Sequence, residues 1–124
     1  MSNVAEQRLV RQWHELLARH AAVAGRLECE LQEHHGIGVS EFEALEKLAT
    51  SEAQCRGADL TDAVHLSQSA TSRLVARLER DGLVERGMCE NDRRGIFVTL
   101  TDAGAALYRK AKPTHRAVLA ETLS

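Results

Sequence analysis

Ser67-Gln68-Ser69-Ala70-Thr71-Ser72-Arg73-Leu74-Val75-Ala76-Arg77-Leu78-Glu79-Arg80-Asp81-Gly82 is the stretch that decides the fold. On a helical wheel Ala70, Leu74, Val75 and Leu78 share one side. Gln68, Ser69, Ser72, Arg73, Ala76 and Arg80 fall on or near the other, with Arg77 at its flank. Ser67 is suited to cap the helix start, and Gly82 sits where a left-handed stop is favoured. Upstream, Ala58 to His65 reads as a shorter helix with Leu60 and Val64 inward, and His65-Leu66 forms the tight turn. Two short helices joined by about three residues have helix-turn-helix spacing.

Downstream, Leu83-Val84-Glu85-Arg86 and Ile96-Phe97-Val98-Thr99-Leu100 flank a polar loop, Cys89 to Gly95, and predict a β-hairpin with a charged tip. Thr101 then caps a last helix through Leu107, Tyr108, Val118 and Leu119, with a kink expected near Pro113. At the other end, Val4 to His35 reads as one long amphipathic helix, with Leu9, Trp13, Leu16, Leu17, His20, Val23, Leu27 and Leu31 at three- and four-residue steps. Gly36-Ile37-Gly38 ends it. Ser40-Glu41-Phe42-Glu43 offers a capping box for a second helix running to about Ala53. The expected fold is mainly α with a small β-hairpin wing: a winged helix-turn-helix with extra helices at both ends. The first helix has more apolar length than one small core can cover, which points to a partner subunit.

The chain has 124 residues and the size of one domain, with no linker-like tract or internal repeat. Residues 1–35 and 101–124 are expected to dimerise it, and residues 55–100 to hold the helix-turn-helix and wing. No run approaches the ~20 apolar residues of a membrane helix, and Met1 to Gln7 carries no leader pattern, so the expected location is cytoplasmic, with no membrane partner. Three cysteines, 29, 55 and 89, include no Cys-x-x-Cys pair, and reduced thiols are the default. Net charge is -2. That balance excludes a simple phosphate-coating polycation, yet leaves room for placed arginines, since six of the seven basic residues in 55–98 lie between Arg73 and Arg94.

Small polar residues with Arg suit a helix entering the major groove. Short side chains admit the backbone, Gln and Arg bond base edges, and flanking Arg hold phosphates. The candidate DNA-binding set is Ser67, Gln68, Ser69, Ser72, Arg73, Arg77, Arg80, Arg93 and Arg94. Arg93 and Arg94, with Arg86 nearby, sit on a projecting loop from which an Arg reaches the narrow, negative minor groove. Asp92 beside them is assigned to orienting an Arg. Taken alone, each of these also reads as a solvated helix face and a solvated turn.

Ser67 to Arg94, followed by Ile96 to Gly104, resembles the MarR family of winged-helix transcription regulators. The resemblance rests on Ser72-Arg73-Leu74-Val75 with Arg77-Leu78-Glu79, on Gly82-Leu83-Val84, on Asp92-x-Arg94 and on Leu100-Thr101-x-x-Gly104, in that order. It implies that the helix matching 68–80 reads the major groove, that Arg94 enters the minor groove and that Asp92 holds the wing. It further implies a homodimer on a pseudo-palindromic operator, bacterial, most often a repressor, and released by a small aromatic effector. The family adds another helix after the last one here. This sequence ends at Ser124, so either the first and last helices dimerise alone or the sequence is a shortened one.

Trp13, Leu17, His20, Phe42 and Leu45 are candidate effector-lining residues by that resemblance, and equally form the apolar stripe any such helix needs. Cys89, between Arg86 and Arg93-Arg94, is an alternative redox sensor because nearby positive charge favours the thiolate, while Cys55 reads as structural. Cys29, Glu30, Glu33, His34 and His35 are metal-ligand types close together, which His115 could approach, but neighbours on a helix diverge by about 100°. No metal and no cofactor are assigned. Without a phosphate loop, nucleophile elbow or paired carboxylates, the chain is not expected to be an enzyme. A winged-helix module that binds protein in place of DNA is the rival reading.

Overall fold

A computed structural model describes the backbone of residues 3–51, 55–89 and 92–124, and their side chains apart from positions 55–58, 88, 89 and 92–96. The elements run α1 (Asn3–His35), α2 (Val39–Thr50), β1 (Cys55–Arg56), α3 (Gly57–Val64), α4 (Gln68–Arg80), β2 (Val84–Cys89), β3 (Asp92–Leu100) and α5 (Asp102–Leu123). This is the expected helical fold with its hairpin wing.

Strand order is β1-β3-β2, all antiparallel. The two-residue β1, paired Cys55 with Val98 and Arg56 with Phe97, is too short to leave an apolar pattern in the sequence. The hairpin is also longer than the apolar runs suggest, since pairing continues through the polar stretch to Cys89 opposite Asp92. The register shifts between Met88, opposite Ile96, and Cys89, so residues 93–95 form a bulge.

The start of α2 differs from the expected Ser40 capping box. Gly38 is the N-cap, and its N–H donates to Glu41 Oε1 at 3.4 Å. The next N–H, of Val39, donates to Glu28 Oε2 on α1 at 3.0 Å. A carboxylate from another helix thus satisfies one of the orphan donors at the start of α2. The helix ends at Thr50, short of Ala53. In α5 the helix is continuous through Pro113.

One core joins the C-terminal part of α1, α2, α3, α4, the sheet and the inner face of α5, with Leu31, Phe42, Leu45, Leu60, Leu74, Leu78, Val84 and Val98 among its members. On α4 the buried positions are Thr71, Leu74, Val75 and Leu78. Thr71 belongs inside because its hydroxyl donates to the Ser67 carbonyl at 2.9 Å, leaving no unpaired polar atom. Ala70 lies only partly buried at the edge.

The last turn of α4 closes as a Schellman motif. The N–H of Gly82, at φ 77°, donates to Glu79 O, and that of Leu83 donates to Leu78 O at 2.9 Å. The α3–α4 turn uses His65, the single described non-glycine at positive φ, 56°. Left-handed geometry costs an L-residue about 1–2 kcal/mol. We therefore expect His65→Gly to melt at or a few degrees above wild type. His65→Ile, branched at Cβ, should lose about 1–2 kcal/mol. Thermal melts of the two variants check the assignment.

The first two-thirds of α1 buries no side chain. Residues 3–22 are all exposed, and the first buried side chain is Leu27. Trp13 is 58% exposed and Leu16 63%, with Val4, Leu9, Val10 and Leu17 beside them. The C-terminal third of α1 lies against α5, where Arg26 Nη2 donates to Glu121 Oε2 at 3.1 Å and His35 Nε2 meets Thr114 Oγ1 at 2.8 Å. No described helix is long and apolar enough to cross a membrane.

Candidate nucleic-acid interface

Ser67 Oγ accepts from the Ala70 N–H at 3.2 Å and lies 3.3 Å from Ser69 Oγ, so this hydroxyl is committed to starting α4. Gln68, Ser69, Ser72, Arg73, Ala76, Arg77 and Arg80 are all exposed, away from buried Leu74 and Leu78, with Arg77 at the flank. Thirteen residues make a rod of about 20 Å, long enough to lie across several base pairs. Among the described residues, the Arg73 and Arg77 guanidinium groups are unmatched by a carboxylate, and Arg80 Nε stands 3.9 Å from Asp81 Oδ1.

Arg86 has a different role from the one its position beside the wing tip suggests. Its Nε and Nη2 donate to Glu79 Oε1 at 3.1 and 2.9 Å, and its backbone N–H reaches Glu79 Oε2 at 3.4 Å. The guanidinium holds the Glu79 carboxyl below the usual carboxylate range. The pairing fastens the last turn of α4 to the middle of β2. Opposite charges seven residues apart, bracketing Gly82, are the available signal for it in the sequence. The side chains of Asp92, Arg93 and Arg94, and those of Cys55 and Cys89, lie outside the described residues. The backbone of Arg93 and Arg94 runs through the bulge of β3.

The five candidate effector residues are not brought together within one chain. Trp13 and Leu17 are exposed on the free part of α1, as is His20. Phe42 and Leu45 are fully buried, with 0% of their surface accessible. Phe42 stacks on His115, ring centroids 4.4 Å apart, and lies 5.6 Å from Tyr108. Burial pushes the His115 imidazole below its ordinary value. Beside it Glu46 accepts from Tyr108 Oη at 3.1 Å and pairs with Arg116.

His115 thus faces the core and does not approach the ligand types of α1. Of those, Glu30, Glu33 and His34 place their ligand atoms within 4.8 Å of one another. Glu30 is already shared by Arg26 at 3.0 Å and His34 at 3.2 Å, as i,i+4 pairs. An open groove of about 520 Å³ runs along this junction, lined by Arg26, Glu30, His34, His35, Thr114 and Val118 among others. Cys29 is exposed and free.

A family model described as the MarR family matches residues 35–95, from the last turn of α1 through the wing bulge. AbsC, a MarR family transcriptional regulator from Streptomyces coelicolor, is similar over 98% of this chain and 80% of its own, with 32% identity and a TM-score of 0.84. The chain belongs to the MarR family. Sco3205, a MarR family transcriptional regulator of the same organism solved in complex with DNA, is 32% identical over 95% of this MarR chain and 73% of its own, at a TM-score of 0.85. The homoprotocatechuate degradative operon repressor of Escherichia coli is 37% identical over 54 residues, 44% of this chain. That match spans only 36% of the repressor's length. Transcription regulation is thus the business of the family, and its winged-helix fold is the one described above.

Proposed function

We propose that this protein is a homodimeric repressor that binds duplex DNA in a sequence-specific way. Helix α4 lies in the major groove, Arg94 of the wing enters the adjacent minor groove, and the two protomers read half-sites about 10 base pairs apart. The observation that carries the proposal is the outer face of α4. Seven small, amide or Arg side chains stand exposed there, and Arg73 and Arg77 lack a carboxylate partner among the described residues. A face built only to be solvated gains nothing from leaving its cations unmatched, whereas phosphates and guanine edges match them.

Gln68, Ser69, Ser72 and Arg73 read or position in the major groove, and Arg77 and Arg80 hold the backbone. Ser67 acts through the cap. Asp92 orients a wing arginine, and Arg93 adds charge beside Arg94. As a regulator of bacterial DNA the protein is placed in the cytoplasm, and no cofactor or catalytic step is assigned to it. The exposed apolar face of α1 supplies the second copy's seat.

Release by a small aromatic ligand completes the proposal. Its seat is not the Trp13–Phe42 set within one chain, because Phe42 and Leu45 have no surface to offer. Mobility shift against the DNA upstream of the protein's own and neighbouring genes, with candidate ligands added, tests the whole reading.

Arg94→Ala and Arg73→Ala should each weaken binding by about 10-fold or more while the melting curve stays in place, and Arg73→Ala should also relax base preference. Wild-type affinity in both variants would transfer the case to a winged helix that binds protein.

A further inference from the structure

We propose that Glu79 is a positioning residue for DNA reading: by clamping Arg86 it sets the angle between α4 and the wing, so that one duplex meets both at once. The inference rests on the DNA-binding reading above. Both carboxylate oxygens of Glu79 are engaged, and Arg86 is held by its side chain at 2.9 and 3.1 Å and by its backbone at 3.4 Å. Two guanidinium N–H groups converge on Oε1 while the backbone N–H takes Oε2, which fixes direction as well as distance.

The join between α4 and β2 is already secured as far as Leu83. The Schellman bonds hold its N–H, and its carbonyl accepts from the Thr101 N–H at 3.1 Å. The Glu79 clamp acts beyond that point. Arg86 lies opposite Val98 on β3, four residues from Arg94. At no more than about 3.3 Å per residue across the bulge the lever is at most about 13 Å, so a 10° swing of the strand at the clamp displaces the tip by up to about 2 Å, enough to spoil a groove contact.

A purely stabilising role would leave the pair with little to do, because both side chains are more than a third exposed and such pairs contribute little. As a bare charge, Glu79 sits on the reading helix and repels phosphate, so removing it would tighten binding. Positioning predicts the opposite sign.

The test uses the full chain and a duplex enriched by the wild-type protein from a random 30-base-pair pool. Glu79→Gln should weaken binding to that duplex by about 10-fold with the melting temperature nearly unchanged. Arg86→Lys keeps the charge but loses the fork, and should do the same. In wild type Arg94→Ala should cost about 10-fold or more, but under about threefold in the Glu79→Gln background, where the tip is already out of place. Arg73→Ala should cost the same in both backgrounds.

Glu79→Gln binding as tightly as wild type or tighter, or an Arg94→Ala effect that is absent or equal in the two backgrounds, overturns the clamp alone. Failure of the wild-type chain to enrich any duplex overturns the DNA-binding reading and the clamp with it.

Discussion

Gly104→Ala should lower the melting temperature by about 10–15 °C, corresponding to about 3 kcal/mol in a chain of this size. Nothing in the glycine's own backbone demands this. The reason is space. A Cβ at residue 104 would lie well inside van der Waals contact of the Leu83 carbonyl oxygen, and 2.7 Å from Leu100 Cδ1. The leucine methyl can turn away, but the carbonyl cannot move freely. It accepts from the Thr101 N–H, while the Thr101 hydroxyl donates to Gly82 O at 2.7 Å and accepts from the Gly104 N–H at 3.0 Å. Displacing it loosens the start of α5, the stop of α4 and the base of the wing together. Differential scanning calorimetry reads the effect directly. A melt within about 3 °C of wild type would mean that α5 approaches Leu83 less closely than these distances require.

The second large effect concerns α1. Trp13→Glu combined with Leu16→Glu should convert a dimer into a monomer and reduce affinity for a two-fold operator by about 1,000-fold. Helices in proteins owe most of their stability to tertiary packing, yet residues 3–22 of α1 bury nothing within the chain. Leu9, Trp13, Leu16, His20 and Val23 follow a four-three-four-three rhythm, which lays one seam along the helix. In the proposed homodimer a second copy would cover this seam, and each large side chain buried there would contribute about 1.5–3 kcal/mol. The fold of residues 27–124 does not depend on the seam, so the double variant should keep its core. Its loss of affinity would come from separating two half-site contacts that one dimer makes as a single event. Sedimentation equilibrium with a binding titration on the same samples decides it, and a variant that stays dimeric removes α1 from the interface.

Where structure follows from neighbouring residues, the sequence is a sufficient guide. Ser67 caps α4, Gly82 stops it and Thr101 caps α5, each through bonds that span six residues or fewer. The exposed face of α4 follows from the helical period alone. Legibility fails where a distant group decides a local outcome. The helix α2 starts at Val39, ahead of Ser40, and its first N–H is met by Glu28, eleven residues away on another helix. The pairing of β1 rests on two residues whose partners lie about forty positions on. Strand continues through the polar wing because backbone pairing needs no apolar pattern. Phe42 and Leu45 read like Trp13 because an apolar stripe looks the same whether it meets its own core or another surface. Glu79 and Arg86 stand seven positions apart, and only the turn at Gly82 makes them a pair.

The separation in the chain between α1 and its main intramolecular support has a consequence for synthesis. The C-terminal third of α1 rests on α5, and the Arg26–Glu121 pair closes a span of 95 residues. At ribosomal speeds of about 5–20 residues per second, that span takes about 5–20 s to make. For those seconds the apolar seam of each nascent chain stands beside those of its neighbours on the same messenger. If the proposed homodimer forms through this seam, chains growing side by side on one transcript would meet before they are finished, so subunits should pair first with siblings from the same message and only later exchange with the wider pool.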